Sequence, residues 1–207
     1  LKFIPYPSWN NVNALAYISM LRYENSFPEN YKNKIISIKN ILKNTADSMI
    51  NWAEKHYYKT VIGTNINDFV WGSNSIAANQ GLILLEAYKI FKNKHYFEFA
   101  INNLNYLLGM NPTGFSYVTG YGYKIPKNIH HRPSIADEIF EPIPGLLVGG
   151  PNPHNEDKVP LPSYTPDEAY IDDFRAYACN EIAINWNAAL AYLVNSINFL
   201  YNSEFNK

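Results

Sequence analysis

Three observations predict an all-α fold for this chain. Apolar residues recur at helical spacing through most of the first half, one more such stretch lies near the C-terminal end, and the region between them shows little periodicity. A weak apolar pattern over about Val12 to Tyr23 predicts the first helix. Ile35, Ile38, Leu42, Met49, Trp52 and Ala53 predict an amphipathic helix over about residues 30 to 55. From Ser75 to Phe91 the run "SIAANQGLILLEAYKIF" is apolar nearly all round, so this helix is expected to be covered on both sides, in an inner layer. Tyr96, Phe97, Ala100, Ile101, Leu104, Leu107 and Leu108 form the next stripe, and "GMNP" ends it, with Gly109 as the stop and Pro112 just beyond.

From Gly109 to about Cys179, Gly and Pro punctuate about 70 residues. Irregular segments of that length are unusual in a compact domain and tend to carry function. Short extended pieces, "FSYVTGYG" and "GLLVGG", are expected within it. The last helix is predicted from about Asn180 to Tyr201, with Asn180 as its N-cap. No repeat of fixed period is present.

Composition excludes several classes of function. The 207 residues are 47% hydrophobic and 17% charged with a net charge of -1, enough apolar material for one sizeable core. No basic run interleaves with aromatics, so nucleic acid is not an expected partner. No apolar run reaches the roughly 18 residues that a membrane span needs. Cys179 is the single cysteine, so no internal disulfide can form. The opening residues "LKFIPYPSWN" lack an initiator Met and a secretory pattern, so the chain is expected to be a piece of something longer. With 17 Tyr and 4 Trp, it is rich in the flat side chains that stack on sugar rings.

The segment "YIDDFRAYACNEIAINWNA", Tyr170 to Ala188, sets the carboxylate of Glu181 ahead of an apolar helix. On one helix, Asp172 and Glu181 would be separated by about 900° of rotation and roughly 13 Å of rise, on opposite faces. If the helix starts near Asn180, Asp172 lies in the preceding loop and can fold back toward Glu181. A glutamate in a first helical turn has its charged form stabilised by the helix dipole, which makes it a poor acid. To donate a proton, Glu181 would need burial against Tyr177 and Trp186, with neighbouring carboxylates, to raise its pKa. The plain alternative is a glutamate that only stabilises a helix start.

The same segment carries a longer pattern. Tyr170, Asp172, Tyr177, Glu181, Ala183, Asn187 and Ala188 resemble the C-terminal active-site signature of glycoside hydrolase family 9, the cellulase family of endoglucanases and some cellobiohydrolases. "SYVTGYGYKIPKNIHHR" resembles that family's other signature through Ser116, Val118, Thr119, Gly122, Lys124, Ile129, His130 and Arg132. "DFVWGSNSIAANQ" and "GLLVGGPNP" are also similar to the family, most of all to bacterial members with an immunoglobulin-like module ahead of the catalytic domain. Two long gapped motifs in the right order are far more specific than one short pattern.

The resemblance implies roughly the C-terminal half of an (α/α)6 barrel with long active-site loops, residues 1–207 being the C-terminal portion of a single catalytic domain. It implies inverting hydrolysis of β-1,4-glucosidic bonds in cellulose or related β-glucans, and secretion. Glu181 matches the general acid, and Asp172 matches an aspartate that positions or tunes it. The family's base is an aspartate of a "DAGD"-like motif, absent here, so an N-terminal half is expected to supply it and the chain alone is expected to be inactive. His130 matches a catalytic-site histidine, and with Arg132 it is implied to hydrogen-bond glucose hydroxyls. His131, Trp71, Tyr177 and Trp186 complete the expected substrate contacts; Trp186 stands where many members carry Tyr.

Simpler readings stand beside these. Trp71 fits a core tryptophan as well as a sugar platform. His130, His131 and His154 could be loop residues or a metal cluster, although no zinc-like spacing supports the latter. No cofactor is required by the implied chemistry; Asp137 and Glu138 are candidate ligands of a structural calcium, as in some relatives, or solvated loop acids. A catalytically inactive carbohydrate-binding relative and a helical protein-interaction scaffold remain the alternative functions.

Overall fold

The computed structural model describes residues 3–205. Seven α-helices follow one another: α1 (Asn13–Arg22), α2 (Lys32–Ala53), α3 (Ser73–Phe91), α4 (Lys94–Leu107), α5 (Arg132–Ala136), α6 (Tyr177–Asn180) and α7 (Ile184–Leu200), with a π-helical turn at Tyr201–Phe205. The four expected helices of the first half are all present, and α7 is the expected last one, shortened at its start. No β-strand is formed among the described residues.

Helix α3 is the inner element that its all-round apolar sequence predicts. It is buried from Ser73 to Tyr88 at every residue but Ser75 and packs against α2, α4 and α7. Because its surroundings are dry, each polar side chain on it needs a partner. Glu86 accepts hydrogen bonds from Lys89 and Tyr192, with Arg22 at 3.6 Å, a cluster that ties α1, α3 and α7 together. Asn103 of α4 donates to Ala77 O at 2.8 Å and accepts from Val61 N at 2.9 Å, which joins α4 to α3 and to the loop before it.

Helix α2 buries Ile35, Ile38, Leu42, Ala46, Ile50 and Ala53 in one stripe. Trp52, expected in that stripe, is 56% exposed, with Lys55 Nζ 5.1 Å from its ring centroid. It sits one residue before Ala53, about 100° round the helix, at the edge of the buried face.

The irregular region is more ordered than its sequence suggests. The two expected extended pieces meet: Thr119 N donates to Leu146 O, Gly145 N to Thr119 O and Val148 N to Tyr117 O, at 2.8 to 3.1 Å. Val148 in turn bridges to Ile182, which brings this pair beside the segment leading into α7. Tyr106, Tyr117 and Tyr170, all buried, interlock with Phe115 beneath it.

Leu104, Leu108, Val118, Leu190 and Val194 line an open apolar trough of about 630 Å³, and elsewhere on α7 Ile184 and Phe199 are 91% and 69% exposed. Exposed apolar surface of this kind drives association. The isolated chain should therefore sediment as dimers or larger species. A monodisperse monomer that unfolds cooperatively in calorimetry would contradict this expectation.

Candidate active site

The site begins where the chain enters α3. Gly72 has φ +87, a conformation that costs an L residue energy, and a Cβ there would lie 2.7 Å from the Trp186 indole. This turn, braced from beneath by Trp186, lifts Trp71 to the surface, where it is 41% exposed. Trp71 is therefore not a core tryptophan. Its ring packs on Tyr177 at 5.2 Å, and its Nε1–H donates to Glu181 Oε2 at 3.1 Å.

Glu181 does not occupy a helical turn. Helix α6 ends at Asn180, Glu181 is extended (φ -63, ψ 150), and α7 starts at Ile184 with Ala183 in the N-cap position. This corrects the expectation that Asn180 caps the last helix, and with it the argument from a first-turn dipole. The Asn180 side chain is fully buried and serves another purpose. Its Nδ2 donates to the carbonyls of Ile171, Asp173 and Ala176 at 2.7 to 3.1 Å, and its Oδ1 accepts from Tyr170 Oη at 2.8 Å. One amide thus folds residues 170 to 176 into a tight loop ahead of Glu181.

His130 reaches Glu181 through backbone pairing. The two form a parallel bridge, and His130 N donates to Asn180 O at 2.9 Å. The imidazole lies 4.8 Å from the Phe174 ring with planes 21° apart, has Tyr177 at 6.0 Å on its edge, and uses Nδ1 to reach Phe174 O at 3.1 Å. Asp172 holds the segment just before His130: its Oδ1 and Oδ2 accept from the amides of Asn128 and Lys127 at 2.8 and 2.9 Å. Its carboxylate therefore positions the residues leading to His130. Asp173 is engaged by the Arg175 guanidinium and amide, which hold its carboxyl down at about 2. Both loop aspartates are thus committed, whereas Glu181 Oε1 has no hydrogen-bond partner among the described residues.

Other expected residues fall elsewhere. Trp186, expected to touch substrate, is 8% exposed and supports Gly72 from the core, because it lies on the inward face of α7. His131, also expected at the substrate, turns to Ser134 Oγ at 3.0 Å within the first turn of α5. Arg132 is exposed at the start of α5, two residues from His130. Asp137 Oδ1 accepts from Ile139 N, and among the described residues no three His, Cys, Asp or Glu side chains are grouped to hold a metal ion. The Cys179 thiol is pushed up to about 12 by burial, so it is not a nucleophile at neutral pH.

Three contributors were not singled out from sequence for the roles they play. Asn180 is one. Asn187 grips "GLLVGG" through Leu147 N at 2.9 Å, and Asn74 donates to Val148 O at 2.9 Å, where Gly150 (φ +97) leaves no room for a Cβ, 2.4 Å from Asn74 Cγ. The apolar positions flanking these asparagines carry a periodic signal, but the asparagines themselves carry none.

A carboxyl with one free oxygen, a ring nitrogen and two aromatic faces can exchange a proton with a hydroxyl-rich ligand and stack on its apolar faces. Known proteins provide a comparison. The sequence model of Glycosyl hydrolase family 9 matches residues 3–194. The chain is 43% identical over 195 residues to a xyloglucan-specific endo-beta-1,4-glucanase of Bacteroides ovatus, covering 94% of this chain and 33% of that protein. It is 38% identical over 200 residues to endoglucanase D of Acetivibrio thermocellus, covering 96% of this chain and 29% of that one. Among solved structures it superposes on a Bacteroides ovatus GH9 protein with a TM-score of 0.87 at 40% identity, over 97% of this chain and 35% of the other. With a thermostable endoglucanase of Alicyclobacillus acidocaldarius the TM-score is 0.83 at 30% identity, over 95% and 37%. The chain thus spans about a third of the length of these relatives.

Proposed function

The chain belongs to glycosyl hydrolase family 9 and forms part of an (α/α)6 barrel, and from that membership we propose that it carries the proton-donor side of a β-1,4-glucan hydrolase site. Residues 1–207 are then the C-terminal portion of one catalytic domain, of the endoglucanase type named for its relatives. The observation that carries this reading is the Glu181 carboxyl, held at one oxygen by Trp71 and free at the other, beside His130.

In this reading Glu181 protonates the leaving glucosidic oxygen through Oε1, while the Trp71 N–H fixes the carboxyl plane. A water on the opposite face of the sugar attacks the anomeric carbon, activated by a carboxylate about 6.5 to 9.5 Å away, as inversion requires. That base comes from the upstream part of the domain. His130 and Arg132 bind hydroxyls of the sugar at the cleavage point, and Trp71 and Tyr177 present flat faces to the pyranose. Asp172 acts indirectly, by holding the segment that leads to His130. Hydrolysis of this kind needs no cofactor, and a polysaccharide substrate implies a secreted protein.

In the full-length protein that carries this chain, the first product released from a β-1,4-glucan should be the α-anomer, followed by proton NMR in the first minutes. The 207-residue chain alone should release no reducing ends above background. A β-configured first product would exclude inversion. Hydrolysis by the isolated chain at a rate near that of the full-length protein would exclude a base supplied from upstream.

A further inference from the structure

We propose that Phe174 is a positioning residue that fixes which nitrogen of His130 meets the substrate; the proposal rests on the reading of the site as a glucan hydrolase. The argument starts from donors and acceptors. His130 Nδ1 lies 3.1 Å from Phe174 O, and a carbonyl oxygen can only accept. The proton of the neutral imidazole therefore sits on Nδ1, and Nε2 keeps its lone pair. Nε2 has no partner among the described residues, so it is left to accept a hydrogen bond from a ligand hydroxyl.

Position follows from the same residue. The Phe174 ring covers one face of the imidazole at 4.8 Å and 21°, and Tyr177 approaches its edge at 6.0 Å. With the His130 backbone pinned to Asn180 O, both the swing about the Cα–Cβ bond and the flip of the ring are opposed. The Phe174 carbonyl is set in turn by its neighbours, because Asn180 Nδ2 holds the carbonyls of Ile171 and Asp173 on either side of Asp172, whose carboxylate holds Lys127 and Asn128. Residues 172 and 174 thus form a template on which residues 127, 128 and 130 are laid. Phe174 itself is 43% exposed, more than a ring kept only for core packing would be.

The test uses the full-length protein labelled with ¹⁵N-histidine, with the His130 signals assigned by comparison with a His130→Asn variant. Long-range proton–nitrogen correlations should show neutral His130 protonated at Nδ1 in the parent and in Phe174→Tyr. Phe174→Ala keeps the carbonyl but frees the ring. It should broaden those signals and raise KM on β-1,4-glucan by roughly 3- to 10-fold, about what re-ordering one loosened side chain costs, with kcat nearly unchanged. Phe174→Tyr should restore the parental KM. If Phe174→Ala does not fold, Phe174→Leu replaces it, because it fills the space without offering a flat face. A proton on Nε2, an unchanged KM in the freed-ring variant, or a Phe174→Tyr variant as impaired as that one would overturn the proposal. Should the full-length protein not cleave β-1,4-glucan at all, the functional reading fails, and the tautomer and line width of His130 still decide the role of Phe174.

Discussion

Glu181→Gln, made in the full-length protein, should lower turnover on β-1,4-glucan by about 100- to 10,000-fold, the usual contribution of a positioned general acid. The substitution is nearly isosteric, and its amide oxygen can still accept from Trp71 Nε1, so the shape of the site and substrate binding should persist. What is lost is the proton for the departing glucoside oxygen. Aryl cellobiosides with an acidic phenol as leaving group need little protonation, so their hydrolysis should fall much less. That contrast separates a proton donor from a glutamate that only stabilises its loop, because loss of the latter would slow all substrates alike and lower the melting temperature. Turnover of cellulose within about threefold of the parent, or equal slowing of both substrate types, would rule out general-acid catalysis by this residue.

Asn180→Ala should be the most damaging change that leaves every expected substrate-contacting side chain in place. The carbonyls of Asp173 and Ala176 keep backbone partners, from Ala176 N and from Cys179 N, but Ile171 O and the Tyr170 hydroxyl lose the only partners they have among the hydrogen bonds described. Stranding the buried Tyr170 hydroxyl and the part-buried Ile171 carbonyl costs on the order of 2 kcal/mol. Asn180→Asp distinguishes this account from simple volume loss. An aspartate fills the same space yet presents a second oxygen to three carbonyl oxygens, so at pH 7 it should be no more stable than Asn180→Ala. Denaturant unfolding of the full-length protein measures both. An aspartate variant within about 0.5 kcal/mol of the parent would show that the donor role assigned to this amide is wrong.

The long helices were readable because burial leaves a local imprint. In α3 the apolar residues surround the axis, and the helix proved to be covered on all sides. In α4 they form a stripe of which Tyr96, Phe97, Ala100 and Leu107 are buried, Ile101 and Leu104 are half-buried, and Leu108, just past the helix end, is 42% exposed. The imprint is coarse by about one residue: Trp52 belonged by spacing and lies at the rim. The site was legible as a motif, since the spacing of Glu181, Asp172, His130 and Arg132 follows a family pattern, but not as a geometry. Asn180 is a good N-cap by local preference, yet it ends the preceding helix, because its amide finds three carbonyls and a hydroxyl in the loop just before it. Trp186 and His131 were expected to face substrate by family resemblance, whereas Trp186 packs under Gly72 and His131 Nδ1 meets Ser134 Oγ.

From its order of residues alone, then, this chain specifies an all-α class and the helix that lies innermost, because periodicity is a local property, whereas Glu181 is marked out by its resemblance to a family pattern. The extended break at Glu181, its bridge to His130 and the placing of Trp71 against it depend on contacts between segments about 50 to 110 residues apart. The bridge is made by backbone N–H and C=O groups, which are the same at nearly every residue, and the Trp71–Glu181 bond joins side chains distant in sequence, so no local pattern announces which pair will meet until the helices have packed and brought their loops together.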